Sequence, residues 1–143
     1  MSRIDVMAFR LLSQREHSAG ELKTKLMRKG FIAEDVMRVI IKCQELDLQS
    51  DQRFAESLCR ARIRQGYGPK RIVQDLKKAE IDPELIQKVI LLDTDTWISH
   101  AKAAWLKKYK IISDLYQRQK CIKFLIYRGF SIDIIQKSLE INF

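Results

Sequence analysis

The chain has 143 residues, of which 46% are hydrophobic and 31% charged, and this balance excludes an intrinsically disordered segment. With only 5 glycines and 2 prolines, it has too few turn residues for an all-β fold. The net charge of +9 and a pI of about 9.6 indicate a polyanionic partner or one with an acidic groove, and a basic surface facing only solvent is the alternative.

The residue pattern also argues against a membrane segment, a disulfide framework and a metal site. No apolar run is long enough for a signal peptide or a bilayer span, so we expect a cytoplasmic protein. Cys43, Cys59 and Cys121 lack CxxC spacing, which favours buried thiols in a reducing compartment. His17 and His100 lie far apart in sequence, so we expect neither a metal nor a cofactor.

Three stretches of the chain align without gaps at intervals of 50 and 49 residues, starting at Glu21, Arg71 and Lys120. Six columns of the alignment match in kind: Leu26, Leu76 and Leu125; Phe31, Ile81 and Phe130; Val36, Ile86 and Ile135; Ile40, Ile90 and Leu139; the acids Glu34, Glu84 and Asp133; and the bases Arg38, Lys88 and Lys137. The alignment predicts an all-α fold of three tandem three-helix repeats, about nine helices, forming an elongated, curved array. The repeats are expected at residues 1–48, 49–92 and 93–143.

The first repeat should open with a helix from roughly Asp5 to Glu16. Ser18 and Glu21 have the spacing of a capping box for the second helix. Gly30 follows that helix, where a residue in the left-handed conformation closes the last turn.

In the second repeat, the first helix should open at Ser50 or Asp51. A Gly-Tyr-Gly-Pro corner at residues 66–69 ends it. Glu80 then stands where the other repeats have glycine, so we expect a different corner there, followed by Asp82 as the cap of the last helix with Pro83 at its first position.

The third repeat should begin near Thr94 with a helix that ends near Lys110 and buries Trp97 and Trp105. Ser113-Asp114 should cap the next helix, and Gly129 and Ser131 repeat the pattern of corner and cap. We expect the softest joints around residues 49–50 and 93–95.

Arginines line one face of the helix that begins the second repeat. At 100° per residue, Arg53, Arg60 and Arg64 fall within about 40° of one another. Forked guanidinium donors in a line suit phosphates or carboxylates. A solvated face, paired internally to Glu56, is an equally good interpretation.

The corner that follows adds an anion-binding candidate, since Lys70 and Arg71 stand at a helix N-terminus. Tyr67 could stack on a base or sit in a protein groove, although packing on its own repeat is slightly favoured. The GxG here is not a dinucleotide fingerprint, because Arg71 occupies the place of the third glycine.

Basic residues recur at similar positions in all three repeats, which suggests a continuous basic track suited to a filament or nucleic acid. The candidates added by this recurrence are Lys25, Arg28, Lys77, Lys78, Lys107 and Lys108. No Walker, GxSxG or HExxH motif occurs, so the sequence offers no catalytic residues and an enzyme is not expected.

Three runs of residues resemble the RecX family of bacterial regulators, and together they cover nearly the whole chain. They are FRLLSQREHSAGELKTKLMRKGF, LQSDQRFAESLCRARIRQGYGPKRIVQDL and IKFLIYRGFSIDIIQKSL. The positions that match the family's central motif are Asp51, Arg53, Phe54, Ala55, Arg62, Gly66, Tyr67, Gly68, Pro69, Arg71 and Ile72.

The resemblance implies a tandem array of three-helix repeats that binds in the groove of the RecA–DNA filament. It implies inhibition of strand exchange, ATP hydrolysis and co-protease action, and so restraint of recombination and of the DNA-damage response. It adds Arg62 to the binding candidates. We expect a monomer that contacts RecA, with single- or double-stranded DNA as a second partner. A direct DNA-binding protein built from helix-turn-helix-like modules is the alternative.

Overall fold

The computed structural model describes residues 1–140, which form nine α-helices and no strand. The helices are α1 (Arg3–Gln14), α2 (Ala19–Arg28), α3 (Ala33–Glu45), α4 (Asp51–Arg64), α5 (Pro69–Lys78), α6 (Pro83–Ile90), α7 (Thr94–Tyr109), α8 (Leu115–Tyr127) and α9 (Ile132–Glu140). The all-α class and the three sets of three helices are confirmed. The curvature of the array and the three boundaries stay predictions.

Side-chain caps start several helices where the sequence placed them. The Ser18 hydroxyl accepts from the Glu21 amide at 3.0 Å, and the Glu21 carboxylate accepts from the Ser18 amide at 3.2 Å, which completes the capping box of α2. Asp93 caps α7 and Asp114 caps α8, each by a carboxylate that accepts from the backbone amide three residues further on. Helix α1 starts two residues earlier than predicted, because Ser2 caps it.

The corner after the second helix of each repeat has one geometry throughout. Gly30 and Gly129 adopt φ values of 95° and 98°. The amide of the residue after each glycine donates to the carbonyl oxygen five residues earlier. Glu80 adopts φ 62°, and its amide and that of Ile81 bond the carbonyl oxygens of Lys77 and Leu76. The prediction of a different corner at Glu80 was therefore wrong. These bonds and the burial of Ile81 offset the roughly 1–2 kcal/mol cost of a left-handed non-glycine residue.

The aligned apolar columns form the buried layers of the fold. Leu26, Leu76 and Leu125 are fully buried, and the columns headed by Phe31, Val36 and Ile40 are buried or partly buried. The columns therefore reflect packing, since each repeat must bury the same helix faces. No helix among residues 1–140 is long and apolar enough to cross a membrane.

By packing, the chain divides into two compact units, each built from two separate stretches. Unit 1 comprises Met1–Ser57 and Leu76–Ile86, and unit 2 comprises Leu58–Asp75 and the chain from Gln87 onward.

In unit 1, helices α1, α2 and α3 pack against one another. The centre of this packing is fully buried and includes Ala8, Leu22, Leu26, Val36 and Cys43.

Gln49 is also buried in unit 1, although it joins two predicted repeats. Its side-chain amide donates to the His17 carbonyl oxygen at 3.2 Å and to the Asp51 carboxylate at 3.0 Å, and its side-chain oxygen accepts from Gln44 at 3.0 Å. The Asp51 carboxylate also accepts from the Ala19 amide at 2.8 Å. This network contradicts the soft joint predicted at residues 49–50, because a buried amide with three partners is costly to release.

In unit 2, helices α7, α8 and α9 pack against one another. Trp97 and Trp105 are buried on α7, as predicted, and Leu125, Ile135 and Leu139 are buried on α8 and α9. The Trp97 indole N–H donates to the carbonyl oxygen of Ile90 at 3.3 Å, which ties the end of α6 to α7.

We expect two alanine substitutions at equivalent corners to differ in cost. Gly30→Ala meets no atom within 4 Å and should lower the free energy of unfolding by about 1–2 kcal/mol, the cost of the left-handed conformation alone. A Cβ at Gly129 would lie 2.7 Å from the Arg71 amide nitrogen, so Gly129→Ala should cost about 1–3 kcal/mol more. Urea unfolding followed by circular dichroism measures both, and equal losses would contradict the close contact.

Candidate functional site

Arg53, the first residue of the predicted arginine face, is committed to ion pairs within unit 1. Its Nε donates to Glu16 at 2.7 Å and its Nη1 donates to Asp47 at 2.9 Å. The hydrogen bond with Glu16 raises the pKa of Arg53 further above its usual value. Its ion-pair partners are therefore Glu16 and Asp47 and not Glu56, the partner considered from sequence.

Arg62 and Arg71 share one carboxylate, that of Asp75. The distances are 2.7 Å from Arg62 Nε and 3.2 Å from Arg71 Nε. Burial would raise the pKa of Asp75, but the hydrogen bond from Arg62 and the charges of Arg71 and Arg62 outweigh it, so the pKa lies below its usual value. Arg62 thus joins α4 to α5, while Arg71 pairs with Asp75 within α5.

Tyr67 packs on its own unit. Its ring lies against two guanidinium groups, with the central carbon of Arg71 4.5 Å and that of Arg128 4.8 Å from the ring centroid. Tyr67 therefore makes two cation–π contacts within unit 2, one to Arg71 and one to Arg128.

Lys25 contacts a buried histidine. Its Nζ lies 2.8 Å from Nε2 of His17, whose Nδ1 lies 3.0 Å from the carbonyl oxygen of Arg15. Because a carbonyl oxygen can only accept, Nδ1 carries the proton, and Nε2 accepts from the ammonium group. Burial lowers the pKa of His17, the Arg15 carbonyl raises it, and the charges of Arg15 and Lys25 lower it further, so the neutral imidazole is favoured.

The remaining candidate cations, apart from Lys108, are exposed and form no side-chain hydrogen bond or ion pair among residues 1–140. They are Arg28, Arg60, Arg64, Lys70, Lys77, Lys78 and Lys107. Such side chains remain available to an anionic partner.

In unit 1, three candidates meet at a shallow depression of about 230 Å³, lined by Lys25, Arg28 and Lys78. Two carboxylates, Glu21 and Glu80, line the same depression. They offset most of its positive charge, and Glu21 is already held by Arg15.

In unit 2, Arg64, Lys107 and Lys108 meet at a deeper cleft of about 350 Å³. Its walls are the last turn of α4 with the corner after it, α7 from its middle to its last turn, and Phe124 of α8, and Arg128 adds a fourth cation. None of the lining residues within 1–140 carries a carboxylate. We take this cleft, which we call the cationic cleft, as the candidate site.

Aromatic contacts hold two of these cations. Lys108 Nζ lies 4.4 Å from the ring centroid of Phe124, and the guanidinium carbon of Arg128 lies 4.8 Å from it. Arg128 also donates from Nη1 to the Gln65 carbonyl oxygen at 2.7 Å. These contacts fix the positions of the charges without neutralising them.

Sequence reasoning did not select Arg128, Phe124 or His100 as site residues. His100 lines the cleft and packs edge-on against Trp97, and burial lowers its pKa. Arg128 was visible in sequence as one base among many beside Gly129. Its partners, Gln65 and Tyr67, are about sixty residues away, so no local pattern could have indicated its role.

The expected buried thiols are confirmed. Cys43, Cys59 and Cys121 are all free and buried. Burial raises the pKa of each thiol, that of Cys121 to about 11, so they stay protonated at neutral pH. No group of three or more potential metal ligands occurs within the described part of the chain.

Family models match each of the three repeats. The model described as "RecX, first three-helix domain" matches residues 6–43, the second three-helix domain matches 50–90, and the third matches 98–139.

Individual relatives agree with these matches. The chain is 49% identical to the regulatory protein RecX of Legionella pneumophila (strain Corby) over 132 residues, 91% of this chain and 88% of the relative. It is 36% identical to that of Acinetobacter baylyi, over 97% of this chain and 87% of the relative. The crystal structure of RecX from Lactobacillus salivarius superimposes with a TM-score of 0.81 at 25% identity, covering 96% of this chain and 93% of that one.

We expect the protein to lose stability as the pH falls below about 6.5, the usual pKa of histidine. The unfolded chain binds protons at His17 and His100 more readily than the folded chain, whose pKa values at both residues are lowered, so acidification favours unfolding. His17→Gln should remove part of this dependence, and the double variant with His100→Gln should remove the rest. Urea unfolding between about pH 5.5 and 7 measures it, and a flat wild-type profile would contradict the expectation.

Proposed function

The chain belongs to the RecX family, and from that premise we propose that it binds the RecA–DNA filament and inhibits the RecA recombinase. Inhibition would extend to strand exchange, ATP hydrolysis and co-protease activity, and would restrain recombination and the DNA-damage response. We propose a cytoplasmic monomer that acts by binding and without catalysis, in keeping with relatives named as regulatory proteins.

The observation that carries this proposal, besides the family, is the set of exposed cations without partners. Arg60 and Arg64 are one turn apart on α4, and Lys70 lies in the first turn of α5. None of the three forms an ion pair with a carboxylate of residues 1–140, in contrast to Arg53 and Arg62. An acidic groove or a polyanionic filament could therefore pair with them without breaking any ion pair of this protein.

The net charge supports the same mode of binding. A charge of +9 on 143 residues produces a long-range attraction for a polyanion, which speeds encounter and weakens with salt. Short-range contacts from the exposed cations then determine where the protein binds. Inhibition follows if the settled protein fills a groove that the working filament needs to keep open.

A second candidate function, direct binding of nucleic acid, is favoured by one face of α8. Tyr116, Lys120, Lys123 and Tyr127 follow one another at helical spacing and all are exposed. The ammonium of Lys120 lies 4.7 Å from the Tyr116 ring centroid. Two basic side chains between two aromatic ones suit phosphates and stacked bases.

The ATPase activity of RecA on single-stranded DNA tests the proposed function. We expect the protein to reduce the rate at concentrations near that of RecA, because a filament-binding inhibitor needs many bound copies. Binding is measured in parallel to RecA alone, to the RecA–DNA filament and to bare DNA. Undiminished ATPase activity at a stoichiometric excess would refute the proposal, and tight binding to bare DNA alone would favour the second candidate.

Charge reversal tests which cations make the contact. The variant Arg60→Glu, Arg64→Glu, Lys70→Glu should bind the filament at least about tenfold more weakly, or about 1.4 kcal/mol, because three attractive contacts become repulsive. Its helicity should be unchanged, since none of the three side chains has a partner in the described structure.

A control variant separates these contacts from the effect of net charge. Arg3, Arg10 and Lys88 are exposed and form no ion pair within residues 1–140, so reversing all three changes the net charge by the same amount. We expect this control to keep most of its affinity for the filament. Equal weakening by both variants would show that only the total charge matters.

A further inference from the structure

The cationic cleft of unit 2 concentrates charge more than a solvated surface requires. Arg64, Lys107, Lys108 and Arg128 line a volume of about 350 Å³, and no lining residue in the described part of the chain is acidic. Four cations kept this close repel one another. The arrangement is therefore stabilised most by a ligand that brings several negative charges into the cleft.

Two of the cations are held ready for such a ligand. Phe124 lies under both Lys108 and Arg128, and the Gln65 carbonyl oxygen accepts one guanidinium N–H of Arg128. An aromatic face attracts a cation without supplying an oxygen acceptor, so most of the N–H donors remain available. Side chains that are already ordered lose less entropy on binding.

The size and chemistry of the cleft narrow the ligand further. A volume of about 350 Å³ is at the small end of small-molecule sites, and a single carboxylate would leave most of the four charges unmatched. A chain of two or three phosphates fits both the space and the charge, because guanidinium and ammonium groups bind phosphate oxygens strongly. We propose that the cationic cleft binds a di- or triphosphate group, of the kind carried by nucleotides or by free inorganic polyphosphate.

The apolar part of the cleft lining should give nucleotides and inorganic polyphosphate different affinities. Ile63, Ala103, Ala104 and Phe124 form the wall beside the cations. A nucleoside attached to the phosphates could pack against this wall, whereas inorganic tripolyphosphate has nothing to place there. A higher affinity for the nucleotide would therefore assign the wall to the nucleoside, and equal affinities would assign the site to the phosphate chain alone.

Isothermal titration calorimetry of the full chain at about 0.1 M salt tests the proposal without RecA or DNA present, so its outcome is independent of the proposed function. The probes are inorganic tripolyphosphate, pyrophosphate, orthophosphate and a nucleoside triphosphate. We expect one bound tripolyphosphate per chain, with affinity falling as the phosphate chain shortens. No binding of either triphosphate, or several equivalent weak sites per chain, would overturn the proposal.

A matched pair of double variants locates the binding. Arg64→Gln with Lys107→Gln removes two cations of the cleft that have no partner in the described structure, so folding should be preserved and affinity should fall about tenfold or more. Arg10→Gln with Lys88→Gln removes the same charge at two exposed positions outside the cleft lining and should change affinity less than about twofold, because exposed charges outside the site are screened by salt. Equal losses from the two pairs would reduce the effect to net charge and overturn the assignment to the cleft.

Discussion

The backbone of the corner before α5 contacts the backbone of the corner after α8. The Gly68 amide donates to the Arg128 carbonyl oxygen at 2.7 Å, and the Lys70 amide donates to the Gly129 carbonyl oxygen at 3.0 Å. A Cβ on Gly68 would lie 2.6 Å from the Gly129 carbonyl group, so only glycine permits this approach. The contact brings Arg128 to Tyr67 and Gln65, and thereby fixes one wall of the cationic cleft.

Much of the fold was predictable because its signals are local. A serine three residues before a glutamate, an aspartate before a proline, and a glycine before an apolar residue each fix a helix end within a few residues. The burial of the apolar columns followed from the repeat, since three equivalent units must pack equivalent faces. Glu80 escaped prediction because propensity alone disfavours it, whereas the hydrogen bonds around it and the burial of Ile81 outweigh that preference.

The sequence could not predict which basic residues form internal ion pairs and which remain available to a partner. Arg53 and Arg60 look alike in sequence, yet Arg53 reaches Glu16 across 37 residues while Arg60 has no such partner among the described residues. Which arginine finds a carboxylate depends on tertiary packing, and helical periodicity reports only the face on which it lies. The structure thus separates cations that hold the fold together from cations left for a partner, and the cleft emerges only after that separation.

The two packing units also bear on how the chain becomes folded during synthesis. Unit 1 takes its last part from Leu76–Ile86, and unit 2 takes its first part from Leu58–Asp75. When only the first repeat has emerged from the ribosome, the second stretch of unit 1 is therefore still missing. Repeats that are separate along the sequence are consequently not separate packing units, and a fragment that ends at Ser57 would leave unit 1 without Leu76–Ile86.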